Sequence, residues 1–453
     1  MSLTSSPLVE DVLFLILSFC DIAAILAISR SSKYFYRLSS SKSVWLAAVS
    51  ELVRKGFVYQ EDGVVLGDLT KEQLVEKAKR AMLGPRTWGA DHSDLGPPIV
   101  SREITLPSSV RNDDWLNFEV KLLLGGEYLF HRNWRLDCWS VCERKVVWTY
   151  KCCVEDAAVI AFAAQLTNTP DQAVVMTCQR TWKNTVERTN YVEVLTLDLK
   201  TRNSQSFMVA RVPDGHGGND PYSHPQICGD FAAVAVATDV MLFNWREGTW
   251  AKVAIENDPH HFARYCRFAL APGYAILILT LSDQDEDGDK YDVETIVLSP
   301  LAALPWASVD PVNPPGGVAN ARDLPRVHTE ALPVVNKYAS PSAILIAVHE
   351  HPLRNGVFRI WISVDRYNVP GILSYHRLNL AGARRNSGDG PILELRSATE
   401  TDKNYVVVTR ASFTGHTVRW DGRAFGGGVD CGTEGAALER SRNPSDPVSY
   451  RKE

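Results

Sequence analysis

The 453-residue chain has no excess of basic residues: 48 Lys and Arg stand against 53 Asp and Glu, a formal net charge of −5. A broad nucleic-acid-binding surface would make a chain basic, so no nucleic-acid partner is expected. Acceptors of the form Asn-x-Ser/Thr, with x other than Pro, are absent. The cysteines number nine, an odd count, and most sit singly within apolar runs, as Cys228 and Cys266 do. Together these features predict buried thiols in a reducing compartment, cytoplasmic or nuclear, and no disulfide framework. Also lacking are Gly-x-Ser-x-Gly, a Walker loop and a G-x-G-x-x-G that opens a helix. Neither enzymatic chemistry nor a cofactor is therefore expected, although a propeller enzyme with a site assembled from distant residues stays open as an alternative.

One apolar run, Val12 to Ile28, is long enough to raise the question of a signal or a membrane anchor. Glu10 and Asp11 precede it where a signal peptide has positive charge, and Asp21 sits within it. An acid at that depth costs about 2.5–3.5 kcal/mol on insertion scales, so a buried helix pair is expected and no membrane partner. Hydrophobic residues at 45 % and charged residues at 22 % are ordinary for a globular protein.

Residues 1–58 read as short helices. Val9, Val12, Leu13, Ile16, Leu17 and Cys20 follow the i, i+3, i+4, i+7 rule, while Phe14, Leu15 and Phe19 make the same helix apolar on a second face. So small a unit cannot bury two faces of one helix, and a partner chain or another domain is implied. Asp21 is placed to cap a second helix with Ile22, Ile25 and Leu26, and Val44, Trp45, Ala48, Val49, Leu52 and Val53 form a third series. Residues 59–98 read as a helical linker. Thr70 and Gln73 make a capping box for a helix to Leu83, Gly84-Pro85 stops it, and Gly96-Pro97-Pro98 marks a boundary.

From 99 to 425 the pattern changes to runs of Val, Ile, Leu, Phe and Tyr broken by Gly, Pro, Asn and Asp. Apolar strands begin near Tyr128, Ala173, Phe231, Tyr274, Ala343 and Tyr405. Each is followed by a second, at Leu136, Val192, Val240, Val293, Val357 and Thr417. The units recur at about fifty to sixty residues, which predicts a six- or seven-bladed β-propeller in which these pairs are the middle hairpins. A β-sandwich or two small β-domains is the competing arrangement. The Pro-rich stretch 301–333 reads as an irregular connection, and 426–453 as a flexible tail. The fold class expected is thus multidomain, α plus all-β.

The first 45 or so residues resemble an F-box domain. Leu8, Val9, Glu10, Asp11, Val12, Leu13, then Ile16, Leu17, Ser18, Phe19, Cys20, Asp21 follow the family pattern without a gap, as do Ser32, Lys33, Tyr34, Phe35, Tyr36, Arg37, Leu38 and Ser43, Val44, Trp45. Val9 stands where the family has Pro, Cys20 where it has Leu, and Ser31 where it has Val. The capped helix and the LGPRTW segment that follow look like fungal F-box proteins with propeller-like C-terminal halves. The resemblance implies a substrate-recognition subunit of an SCF-type cullin–RING ubiquitin ligase. Such a protein binds the Skp-type adaptor through the F-box and a target protein, here unknown, through the other domain. The matched or adjacent candidates for the adaptor are Leu8, Val12, Ile16, Leu17, Phe19, Ile25, Lys33, Phe35, Leu38 and Trp45, about half of them expected to serve only the small core. The alternative is a propeller scaffold with a degenerate F-box.

Asp283, Asp285, Asp287, Gly288 and Glu294 match the calcium loop D-x-D-x-D-G-x5-E, but strand-like flanks and Lys290 at the usual apolar position favour an acidic hairpin loop. His349-Glu350-His351 lacks the spacing of H-E-x-x-H, and Cys138, Cys142, Cys152 and Cys153 match no zinc signature. No metal is therefore expected. If the paired strands are middle hairpins, the loops 180–190, 283–292 and 349–356 share one face. Trp182, Arg188, His349 and His351 are the candidates for capturing a partner there.

Overall fold

The computed structural model describes residues 10–58, 64–83 and most of 119–400, together with 407–408 and 437–438. Five helices come first: α1 (Glu10–Ser18), α2 (Ile22–Ser29), α3 (Lys33–Ser39), α4 (Lys42–Arg54) and α5 (Lys71–Leu83). α2, α3 and α4 each have an explicit start. Asp21 Oδ1 accepts from Ala24 N at 2.7 Å, Ser32 Oγ from Phe35 N at 3.2 Å, and Ser41 Oγ from Val44 N at 3.5 Å. The three-helix expectation is corrected here. Ser32 caps a seven-residue helix, α3, whose length is too short for apolar periodicity to show.

The capping box at α5 closes both ways: Thr70 N donates to Gln73 Oε1 at 2.8 Å, and Gln73 N to Thr70 Oγ1 at 3.3 Å. Leu74, Ala78 and Ala81 of α5 join Leu17, Ile22, Ile25, Leu38, Val44, Val49 and Leu52 in one core. Within the segment 59–98 read as a linker, α5 thus packs as part of the helical unit, while 59–63 and 84–98, with the expected Gly84-Pro85 stop, lie outside the described residues. No helix among the described residues is long and apolar enough to cross a membrane.

Most of the remainder is built on four-stranded antiparallel meanders, the third widened by two short strands. The first holds β1 (Glu119–Leu122), β2 (Tyr128–Asn133), β3 (Arg135–Ser140) and β4 (Lys145–Thr149); the second, β5 (Ala157–Leu166), β6 (Gln172–Trp182), β7 (Arg188–Asp198) and β8 (Ser204–Val212). The third holds β9 (Tyr222–Cys228), β10 (Phe231–Val236), β11 (Asp239–Asn244) and β12 (Thr249–Ala254); a separate fourth sheet begins with β13 (Phe268–Ala271), β14 (Tyr274–Gln284) and β15 (Lys290–Pro300).

Here the Pro-rich stretch departs from the irregular connection expected. β16 (Ala307–Ser308) and β17 (Ala319–Asn320) both pair with β12, and β18 (His328–Ala331) pairs with β15 as the fourth strand of the fourth sheet. Pro305 and Pro325, the prolines of this stretch among the described residues, lie outside the strands, where no ladder donor is lost. The fifth sheet is β19 (Pro341–Glu350), β20 (Val357–Arg366), β21 (Val369–Asn379) and β22 (Ile392–Glu400). β23 (Val407–Val408) pairs with β24 (Ala437–Leu438). The sixth expected unit, from Tyr405 and Thr417, otherwise lies outside the described residues.

Each pair of successive sheets encloses its own apolar layer. β10 shows how one sequence serves two layers. Ala232, Val234 and Val236 face the second sheet's residues, whereas Ala233 and Ala235 face those of the fourth. A strand buried on both faces needs a continuous apolar run, and FAAVAV supplies it. The first strands pack in sequence, β5 on β9, β9 on β13 and β13 on β19.

Four expected strand pairs are middle hairpins: β2–β3, β6–β7, β10–β11 and β14–β15. The fifth is corrected. β19 and β20 are the first and second strands of their sheet, because β18, which precedes them, is already committed to the fourth.

Candidate partner-binding interface

The helical unit presents two interfaces, one open and one closed. From Val12 to Leu17 every residue of α1 is apolar, so the helix is apolar on more than one side. Leu17 is 3 % exposed in the core, with Leu13, Phe14 and Cys20 packed beside it. On the other side Val12, Leu15, Ile16 and Phe19 are 41 %, 58 %, 48 % and 79 % exposed. Val12, Leu15 and Ile16 share one face of α1, and Phe19, in the turn that follows the helix, continues the stripe at i+7. Such a stripe marks a surface that another molecule covers. Beside it, Arg37 of α3 lies 4.0 Å from Glu10 and 5.6 Å from the centre of the Tyr34 ring, and Tyr34 is itself exposed.

The adaptor candidates therefore separate by placement. Val12, Ile16, Phe19 and Lys33 are exposed. Phe35 and Trp45 are half-buried against the core, while Leu17, Ile25 and Leu38 are within it. Leu8 lies outside the described residues. Leu15, which the family match did not single out, belongs to the stripe; its helical phase with Val12 and Phe19 was the available signal.

The closed interface joins the helical unit to the turn between β19 and β20. Leu353 of that turn packs against the helical core. Its carbonyl accepts from Ala23 N at 3.2 Å. Asp21, already the cap of α2 through Oδ1, accepts from Asn355 N at 3.2 Å through Oδ2. Lys55 at the end of α4 donates to Glu350 Oε1 at 2.6 Å and to Asn355 Oδ1 at 2.7 Å. No local pattern announces these residues, since their partners lie some 300 positions away in the chain.

His349 and His351 belong to this junction, which corrects their assignment to a shared capture face with Trp182 and Arg188. In an antiparallel meander the turn between strands one and two lies at the opposite end from the turn between two and three. The β19–β20 turn is of the first kind; those of β6–β7 and β14–β15 are of the second. The ends stay consistent between sheets. Tyr222, which opens β9, bonds through its hydroxyl to the Tyr191 carbonyl at 3.3 Å, at the β6–β7 turn end where β5 also begins. At the other end the Glu350 carboxylate acts on Cys228, the last residue of β9.

His351 Nδ1 accepts from Leu353 N at 3.1 Å, and Nε2 lies 3.3 Å from Arg359 Nη2. Burial first, then Arg359, Arg354 and Arg377, push its pKa down to about 4, against a smaller opposing pull from Asp21.

Trp182 and Arg188 are register partners at the tip of the β6–β7 hairpin. Asp283 and Glu294 lie on β14 and β15, opposite Tyr291 and Thr280 respectively, three register steps apart and continuous with strands; Asp285 and Asp287 lie outside the described residues. Strands spread these ligands along a ladder where a calcium loop must gather them. Among the described residues no group of three His, Cys, Asp or Glu side chains could hold a metal ion. Cys138 is buried and its thiol pushed up to about 12 by burial, as Cys153 is to about 11. Cys153 edges a buried polar cluster in which Tyr150 donates to Glu193, and Gln179 Nε2 donates to the Tyr150 hydroxyl at 2.6 Å. Thiols raised this far are protonated at neutral pH and poor nucleophiles.

No family model and no curated protein matches the chain. Among solved structures, the chain is similar to the WD40 domain of SCAP from fission yeast, at 9 % identity over 65 % of this chain and 66 % of that one, with a TM-score of 0.33. It is also similar to the tricorn protease, at 9 % identity over 62 % of this chain and 30 % of that one, with a TM-score of 0.25.

Proposed function

We propose that this protein is a receptor subunit of an SCF-type cullin–RING ubiquitin ligase. The α1 stripe docks on a Skp-type adaptor, and the sheet series, read as the blades of a six- or seven-bladed propeller, holds the target protein. The observation that carries the reading is the exposed row Val12, Leu15 and Ile16, continued by Phe19 just past the helix end, on a helix whose other face is already buried. A helix laid into a partner's groove buries such a row through its i, i+3, i+4 and i+7 anchors.

The departures from the F-box pattern bear on this. Cys20 packs toward the core and leaves the stripe unchanged. Val9 lies outside the described residues. Target capture belongs, on this reading, to the end of the sheets away from the helical unit, where Trp182 and Arg188 flank the β6–β7 turn.

Co-expression with the Skp-type adaptor followed by size-exclusion chromatography tests the reading. A 1:1 complex is expected, lost in Ile16→Asp and Phe19→Asp chains that remain folded. Leu17→Asp is unsuitable because it disrupts the core. A folded parent chain that forms no complex would sink the proposal. For the capture face, an unaltered target interaction in the Trp182→Ala, Arg188→Ala double variant would remove those two residues from it.

A further inference from the structure

The β19–β20 turn holds its shape through its own bonds. His351 N donates to the Val357 carbonyl at 2.7 Å, and Arg354 N to the His351 carbonyl at 3.3 Å. Leu353 N donates to His351 Nδ1 at 3.1 Å, and Leu380 N, just past β21, donates to the Gly356 carbonyl at 2.7 Å. Gly356 has a φ of 72°, a left-handed conformation open to glycine. A turn braced in this way loses little further freedom when another part of the chain docks on it.

The part that docks is the helical unit, and the turn grips two of its helices at once. The first amides of a helix have no acceptor within it. At the start of α2, Ala24 N uses Asp21 Oδ1, a local cap, but Ala23 N uses the Leu353 carbonyl. The turn therefore supplies part of the cap of α2. Asp21 completes the exchange by accepting from Asn355 N. At the end of α4, Lys55 donates to Glu350 and Asn355. Its side chain is 13 % exposed, so solvent screens this ion pair less than a surface pair. Leu353 packs on the core that all five helices share. A hold on one helix would leave a swivel; a hold on α2 and α4, joined through that core, removes it. None of these bonds involves residues 84–118, the covalent route from α5 to β1.

We propose that the β19–β20 turn is a clasp that fixes the helical unit on the fifth sheet as one rigid body. The stripe on α1 then stands at a set distance and angle from the opposite end of the sheets, where Trp182 and Arg188 flank the β6–β7 turn. The clasp stands without the ligase reading. Its use rests on that reading: a target held at the far end is presented to the ligase at one fixed position.

Nuclear magnetic resonance on the full chain tests the clasp with no adaptor present, so a failed adaptor complex and a failed clasp are separate results. Residual dipolar couplings from the helices and from the sheets are expected to fit one alignment tensor. Two different tensors in the parent chain overturn the proposal. The Lys55→Ala, Leu353→Ala double variant is expected to release the helical unit, whose couplings then depart from the tensor of the sheets. Hydrogen exchange separates release from unfolding. Ala23, whose acceptor lies on the turn, should lose its protection, whereas Ala24, bonded to Asp21 within the helical unit, should keep its own. A double variant in which Ala23 stays protected and one tensor still fits also overturns the proposal, because other contacts would then hold the unit. Should the variant lose its helices, with Ala24 unprotected as well, the tensor of the parent decides alone.

Discussion

α1 and β10 carry the same signature and meet different ends. Both are apolar on two sides. β10 has a sheet on either flank and buries everything: Ala232, Val234 and Val236 in one layer, Ala233 and Ala235 in the next. α1 has neighbours, α3 and α4, on one side only and buries only Leu17 fully, leaving Ile16 and the adjoining Phe19 to solvent. An all-round apolar element therefore states how many partners it needs, and the fold decides how many it supplies. Where the fold supplies fewer, the surplus face is where a second molecule should be sought.

Breaking the two-sided layers has the largest expected effect. Trp250 is 1 % exposed and stacks on Phe243, ring centres 6.2 Å apart, between the second and third sheets. Trp250→Ala is expected to cost about 3–5 kcal/mol. Chemical denaturation would check this; a loss below about 1 kcal/mol would mean that these layers do not carry the stability their burial suggests.

Next comes the one-sided helix, where adjacent residues separate the two roles. Leu17→Ala is expected to cost about 2–5 kcal/mol, whereas the half-exposed Ile16→Ala should stay within about 1 kcal/mol of the parent. If the proposed adaptor complex forms, it is expected to respond in the opposite sense, weakening in Ile16→Ala while the chain stays folded. Equal destabilisation by the two substitutions would erase the distinction between the faces of α1.

Smaller again is the cost of loosening the junction. Asp21→Ala removes the cap of α2 and the acceptor of Asn355 N together. A lost N-cap costs about 0.5–2 kcal/mol. Because the same carboxylate grips the β19–β20 turn, hydrogen exchange should quicken at Asn355 as well as at Ala24. Ser41→Ala removes a cap with no such second bond and is expected to quicken exchange at Val44 alone. Exchange at Asn355 unchanged in Asp21→Ala would show that Leu353 and Lys55 hold the turn by themselves.

What was legible in the sequence follows the range of the interactions. Asp21 as a cap, the Thr70–Gln73 box and the starts of the β2, β10 and β14 strands are set within a few residues and could be read. The assignment of strands to sheets could not. Ala343 and Val357 look like every other pair, and only the capture of β18 by β15 makes them first and second strands, not second and third. That one shift moved His349 and His351 to the other end of the sheets. The exposed stripe was half legible. The sequence showed two apolar faces on α1, but packing against α3 and α4 chose which of them is core.

The last effect expected is confined to the acid limb of stability and vanishes at neutral pH, and it compares the junction with the rest of the molecule. The folded chain holds the His351 pKa at about 4, below the ordinary histidine value of 6.5. The unfolded chain therefore binds a proton in this range that the folded chain does not. Stability from this group is complete above pH 6.5 and is lost as the pH falls toward 4. Burial lowers the His131 pKa in the first sheet in the same sense, so two separate regions contribute to one slope. His351→Asn keeps a polar side chain in the turn but removes one of the two titrations. Denaturation of this variant between pH 7 and 4.5 should give a shallower fall than the parent, with the two curves running parallel above pH 7. A slope unchanged by the substitution would assign the whole acid limb to His131 and the carboxylates, and would leave the junction without a measurable charge of its own.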